Sequence, residues 1–213
     1  MTDHRPPPPE PEDCLIHSRV SRYKGGTLIA EDVLDLATHE RRIVDPDGYR
    51  PAACPRCGGQ VLHVHDYPRR KPCGEPGMPP EITLVRHRCA DPACEATWRI
   101  LPAFLARHLW RVWATIERTV SATPPAKPEP APIPKRSAQR WQSRLLSSAK
   151  QLVVLLATSG GALLETIGKR VGHEATRRTL VDVHAQIAAT PPSRRLADLA
   201  ALVHRLERGL RLM

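Results

Sequence analysis

Cys54-Pro55-Arg56-Cys57-Gly58-Gly59 and Cys89-Ala90-Asp91-Pro92-Ala93-Cys94 are the two stretches on which the fold turns, and 31 residues separate Cys57 from Cys89. Two residues between Cys54 and Cys57 let one tight turn present both thiolates to a single ion. Gly58, directly after the second sulfur, permits the left-handed backbone that such a turn needs. Zinc takes four soft or borderline ligands in a tetrahedron, at about 2.3 Å from each sulfur. The second pair spans a wider turn, stiffened by Pro92. Cys54, Cys57, Cys89 and Cys94 are therefore the expected ligands of one Zn2+. Buried thiols without metal, or His87 or Cys73 as a substitute ligand, are the alternatives. A redox dithiol at Cys54 and Cys57 lacks the strand–turn–helix context that it needs. His63 and His65 alternate on a candidate strand and share a side, either solvated or toward a metal. Cys14 is expected to be a bystander.

Working outward, Val61–Tyr67 and Ile82–Arg88 read as short strands, with Thr97–Leu101 as a third, separated by Gly- and Pro-rich turns. Leu28–Thr38 has helical spacing. Pro102 opens a helix to about Val120, since proline costs no hydrogen bond in a first turn. Its apolar side is Leu105, Leu109, Val112, Trp113 and Ile116. Trp110 borders that side, and both tryptophans are expected to pack on the sheet, with stacking on bases as the minority reading. Arg107, Arg111 and Arg118 gather on the opposite side. His108 and His204 read as ordinary surface residues.

Six prolines in residues 121–134 make an extended linker. Beyond it the pattern is helical, with Ser137 as a cap for a helix to about Thr158, closed by Gly160-Gly161, and shorter helices at about 162–171, 174–189 and 194–208. The expected organisation is a disordered Pro-rich tail at 1–27, a zinc-ribbon domain with flanking helices at 28–120, a linker at 121–135 and a basic helical domain at 136–213.

The chain has 213 residues, with 32 Lys and Arg against 22 Asp and Glu, a formal charge of +10. The charge rises along it, from −3 over residues 1–50 to +4 over 51–120 and +9 over 121–213. That asymmetry points to a polyanion, although the dominance of Arg among the basic residues has coding bias as an alternative origin. No apolar run approaches the roughly 18 residues of a membrane span. The N-terminus has no apolar signal core, so no export is expected, and the compartment read from paired cysteines is a reducing cytoplasm. No HExxH, Gly-rich phosphate loop or GxSxG elbow occurs.

Arg136, Ser137, Arg140, Arg144, Ser147 and Gln151 fall within about 100° of helical arc, opposite Trp141, Leu145, Leu146, Ala149, Leu152, Val153 and Leu156. An apolar back with Arg and Gln on the front suits a helix laid in a major groove, although a solvated face is the commoner fate of such charges. Arg136, Arg140, Arg144 and Gln151, with Arg107 and Arg111, are the candidate DNA contacts.

Cys54-Pro-x-Cys-Gly, Val61-Leu-His-x-His-x-Tyr-x-Arg-Arg, Ile82-x-Leu-x-Arg-x-Arg-Cys89 and Leu101-Pro-x-Phe-Leu together resemble the zinc-ribbon segment of bacterial insertion-sequence transposases and of a related family of short proteins of unknown function. Arg136–Leu145 is similar to the recognition helix of the helix-turn-helix that commonly follows in those relatives. The resemblance covers roughly residues 50–156. It implies an α+β protein: a small antiparallel zinc ribbon followed by an all-α helical bundle with a degenerate helix-turn-helix. It also implies double-stranded DNA as partner, with a transposase or recombinase as an associated protein. The chain departs from the family where ATPPAKPEPAPIP stands in place of the first helix. The six acidic residues beyond residue 120 have no strand pattern to support two-metal nuclease chemistry. The expectation is a non-enzymatic DNA-binding protein. A zinc-stabilised protein-interaction adaptor without nucleic acid is the alternative, and RNA is not separated from DNA.

Overall fold

The structure, a computed structural model, describes residues 25–72, 75, 77–107, 109–121 and 133–213. Cys14, Cys73, His108, the tail to residue 24 and linker residues 122–132 lie outside the described residues.

The chain is mixed α and β. Strand β1 (Gly25–Ala30) leads to helix α1 (Leu36–Ile43), then β2 (Leu62–Asp66), the two-residue strands β3 (Arg69–Arg70) and β4 (Ile82–Thr83), β5 (Val85–Cys89) and β6 (Thr97–Pro102). Helices α2 (Trp113–Ser121), α3 (Lys135–Leu145), α4 (Lys150–Thr158), α5 (Ala162–Val171), α6 (Arg177–Ile187) and α7 (Arg195–Leu206) follow. The main sheet runs β1-β6-β5-β2, and β3 pairs with β4 separately. β5 is antiparallel to both β2 and β6, as alternating short strands joined by turns allow.

β1 overturns one expectation. Residues 28–38 are not a helix: Leu28–Ala30 belong to a strand running parallel to β6, and α1 begins only at Leu36, capped by the Asp35 carboxylate on the Thr38 N–H at 2.7 Å. The sheet is therefore not purely antiparallel. A parallel pair needs a long crossover, and here everything from α1 to β5 serves as that connection.

The helix expected after Pro102 is also shorter. Pro102 ends β6, a bridge then pairs Leu105 with Val112, and α2 starts at Trp113. Trp110, between the two bridged residues, has a left-handed φ of 31° and is 61% exposed, so it does not pack on the sheet as expected. The single helix expected over 137–158 is two. α3 begins at Lys135 with Pro134, not Ser137, at its cap, and stops at Leu145. In the intervening turn, Ala149 N–H donates to the Ala175 carbonyl and Arg177 N–H to the Ser147 carbonyl, each at 2.9 Å. Those tertiary bonds replace the helical ones that the weak helix formers Ser147 and Ser148 would have supplied. Leu146, expected on the buried side, is exposed as a result.

Two apolar clusters form. Leu62, Leu84, Val85, Trp98, Ile100 and Leu101 pack with Val33 and Tyr49 around the sheet. Trp113, Ile116 and Val120 of α2 pack with Trp141, Leu145, Leu156, Ile167, Leu180 and Leu199 of the later helices. His204, expected at the surface, is buried where the clusters meet. The Arg107 guanidinium donates to its Nδ1 at 2.9 Å, which leaves Nε2–H to donate to the Thr27 carbonyl of β1 at 2.8 Å. Glu117 of α2 accepts the Leu196 N–H at 3.2 Å and so caps the first turn of α7.

Candidate metal centre

The first cysteine turn is held by its own backbone. Cys54 N–H donates to the Gly59 carbonyl and Gly58 N–H to the Cys54 carbonyl, both at 2.8 Å, with Gly58 at φ +77°. The second turn is built on Asp91. Its carboxylate accepts the Ala93 N–H at 2.9 Å, and its carbonyl accepts those of Cys94 and Glu95 at 3.0 and 2.9 Å. Arg88 and Glu95 form an ion pair across its base. Register places the turns face to face: Leu62 of β2 pairs with Cys89 of β5, and Ala90 N–H donates to the Val61 carbonyl at 3.0 Å.

The four sulfurs consequently lie within 4.8 Å of one another. Cys54 and Cys94 Sγ are 3.8 Å apart, and Cys57 and Cys89 Sγ 3.6 Å. A tetrahedron with metal–sulfur bonds of about 2.3 Å has edges of about 3.8 Å, so the four could hold one metal ion. All four are free thiols, with Cys54, Cys89 and Cys94 buried and Cys57 exposed. No other group of His, Cys, Asp or Glu among the described residues is close enough to do the same. His63 and His65 are exposed on β2 and join no such group, and His87 is fully buried on β5 outside the sulfur cluster.

Several N–H groups aim at the sulfurs. The Trp98 indole donates to Cys54 Sγ and the Gly59 amide to Cys57 Sγ, each at 3.4 Å. Burial raises the Cys54 thiol, but the Arg56 and Cys57 amides and the indole outweigh it and bring it down to about 6. The Gly59 amide pulls Cys57 down, yet burial and the three neighbouring sulfurs push it up to about 12. Four sulfurs this close cannot all ionise against their mutual repulsion, and a divalent cation reverses that balance. Trp98 was not legible as part of the site. Its alternation in Thr97-Trp98-Arg99-Ile100 marks a strand, but only the pairing of β5 with β6 carries the indole to Cys54.

The candidate DNA contacts divide. Arg136, Arg140 and Arg144 are exposed on α3, opposite the buried Trp141 and Leu145, and Gln151 is exposed on α4. None of the three arginines has a carboxylate partner among the described residues. Arg107 and Arg111 are elsewhere, on the turn before α2 rather than on a helix. Arg107 is committed to His204 and to the Arg208 carbonyl at 2.8 Å. Arg111 lies 4.0 Å from the buried Glu75 carboxylate, with only 17% of its side chain exposed. Interior acceptors, invisible in a helical projection, claim both.

No protein-family model, curated protein or solved structure matches this chain. Among the described residues, no helix is long and apolar enough to cross a membrane.

Proposed function

We propose that this protein is a non-enzymatic, zinc-stabilised binder of double-stranded DNA. The observation that carries the proposal is the exposed row Arg136, Arg140 and Arg144 on α3, whose apolar back is anchored by Trp141 and Leu145. Three guanidiniums at i, i+4 and i+8 track a phosphate backbone along one side of a helix. Lys150 and Gln151, at the start of α4, are exposed as well.

Cys54, Cys57, Cys89 and Cys94 would hold Zn2+ in a ribbon-like site. Four sulfur donors in a tetrahedral arrangement, with no room left for water, suit a structural rather than a catalytic ion. The ion's role would be to join two turns, far apart in sequence, at one end of the β2–β5 pair, so that metal binding acts as folding free energy. The likeness of the cysteine segments to transposase ribbons supplies the class of target, duplex DNA, and a transposase or recombinase as the associated protein.

The test is fluorescence anisotropy of a labelled duplex over a salt series. Each phosphate contact contributes about −0.9 to the slope of log affinity against log salt. Changing Arg140 and Arg144 to Ala should weaken binding and flatten the slope by about 1.8, with thermal stability nearly unchanged. An unaltered affinity and slope would reject the assignment of α3. Absence of DNA binding at low salt, with a protein co-purifying, would favour the adaptor reading.

A further inference from the structure

The backbone around Trp110 is braced from several sides. Ala106 N–H donates to the Arg111 carbonyl at 3.0 Å and Trp113 N–H to the Phe104 carbonyl at 2.9 Å, which ties the two arms of the segment together. Arg70 of β3 donates to the Ala106 carbonyl, and Arg107 donates to the Arg208 carbonyl at 2.8 Å. Leu109 packs on the helical cluster.

Beside these anchors Trp110 is 61% exposed, with φ at 31°. A bulky side chain in the left-handed region is an outlier, and positions of that conformation ordinarily fall to Gly or Asn. An exposed apolar side chain is by itself common at a protein surface. Here a strained and braced backbone keeps an indole out of the core, which suits a rigid binding anchor.

The surrounding charge selects the partner. Arg99, Arg208 and Arg211 are exposed, and none has a carboxylate partner among the described residues. Arg99 stands near Arg70: burial, and then the Arg99 charge, bring the Arg70 guanidinium down to about 10. Arg211 stands near Arg107, whose pKa burial and then that charge lower, and it lines one small cavity together with Leu109. The carboxylates of these segments are engaged. Glu75 is buried and accepts from the Val112 N–H at 3.2 Å and from the Thr115 hydroxyl, and Glu207 accepts the Gly209 N–H at 3.1 Å. An indole among guanidiniums suits a nucleobase, which stacks on the ring while its phosphate meets the arginines.

This surface leads to α3. Residues 208–212 pass from Arg107, which holds the Arg208 carbonyl, to Arg177, which donates to the Leu212 carbonyl at 2.6 Å. Burial, and then the charge of Arg144 at the end of the α3 row, lower the Arg177 pKa.

We infer that Trp110 stacks on an unpaired base, so that the DNA target is a duplex with a single-stranded extension. The inference rests on the DNA reading of α3 and adds to it. The arginine row takes the duplex backbone, and the indole takes a base whose face no neighbouring pair covers.

The experiment measures fluorescence anisotropy of the full-length, zinc-loaded chain with three labelled DNAs: a blunt duplex, the same duplex with a single-stranded thymine extension, and one with an extension of abasic sites of equal length. The two extensions carry the same phosphates and differ only in bases. The thymine extension should bind about tenfold tighter than the abasic one. Trp110→Ala should bind both alike, with blunt-duplex affinity and melting temperature unchanged, and Trp110→Phe should keep most of the preference. A 2-aminopurine placed in the extension should be quenched by the native chain and not by Trp110→Ala. The Arg140→Ala/Arg144→Ala chain should bind all three DNAs more weakly and keep the thymine preference. Equal affinity for the two extensions, or a preference that survives Trp110→Ala, would overturn the inference and leave blunt-duplex binding by α3 standing. A blunt duplex that does not bind, beside a Trp110-dependent thymine preference, would reject the arginine row and keep the indole.

Discussion

Replacing Trp98 by Phe isolates the side-chain N–H that reaches the cysteine cluster. The indole N–H donates to Cys54 Sγ at 3.4 Å, while its ring is 6% exposed in the sheet core and carries the Arg208 guanidinium 5.3 Å from the ring centroid. Phe keeps an aromatic face for both the core and the arginine and deletes only the donor and one ring. A hydrogen bond to a charged acceptor is worth about 1.5–3 kcal/mol. Removing a group that supports a metal ligand typically costs about 10–100-fold in metal affinity, equivalent to about 1.4–2.7 kcal/mol. The two routes agree, so the Trp98→Phe chain should bind zinc about 10–100-fold more weakly. Elemental analysis should first give one zinc per chain, and competition against a chromogenic chelator then measures the affinity. Thermal unfolding of the metal-free chains separates the packing loss, which falls on stability with or without metal. If zinc affinity stays within threefold while metal-free stability drops, the indole acts by filling space and the bond to Cys54 contributes nothing to the ion.

Three further outcomes are expected. Gly168→Ala should destabilise the chain, because the added Cβ would lie 2.8 Å from Ala157 Cβ and 3.1 Å from its Cα on α4. The helix-propensity gain of about 1 kcal/mol is outweighed by an overpacking cost of about 1–3 kcal/mol, and a rise in melting temperature would show that α4 and α5 separate easily. Stability should fall as pH drops below 6.5, because burial lowers the pKa of His39, His184 and His204 and the folded chain holds them neutral. Their folded values lie below the unfolded one, so the stability they confer is present above pH 6.5 and lost as pH falls toward the folded values. These three alone give a slope of at most about 4 kcal/mol per pH unit if all protonate on unfolding. His87, lowered by burial as well, adds to it, and urea midpoints that stay flat between about pH 7 and 5 would contradict it. Arg107→Ala should reduce stability and leave DNA affinity unchanged, since its guanidinium joins His204 and the Arg208 carbonyl inside the molecule; a loss of DNA binding at unchanged melting temperature would return it to the interface.

Much of the local structure was legible because local spacing encodes it. The two-residue gap between Cys54 and Cys57, with Gly58 behind it, specifies a turn whatever surrounds it. The apolar period of residues 162–171 marks a helix that the structure places at Ala162–Val171. Trp141 and Leu145 lie on the buried side of α3, as the arc of their neighbours requires.

What depends on distant partners was not legible. Leu28–Ala30 carry an apolar period compatible with a helix, and only the open edge of β6 makes them a strand. The chain between α3 and α4 is a turn because residues 175–177 supply its backbone bonds, and no local signal there forecasts them. Arg107 looked like a surface charge until folding brought His204 of α7 alongside it. Composition and spacing therefore determined which residues could ligate a metal and which helices could carry charge. The tertiary structure alone decided which donors remain free, because a hydrogen bond between segments far apart in the chain competes with solvent and leaves no periodic trace in the sequence.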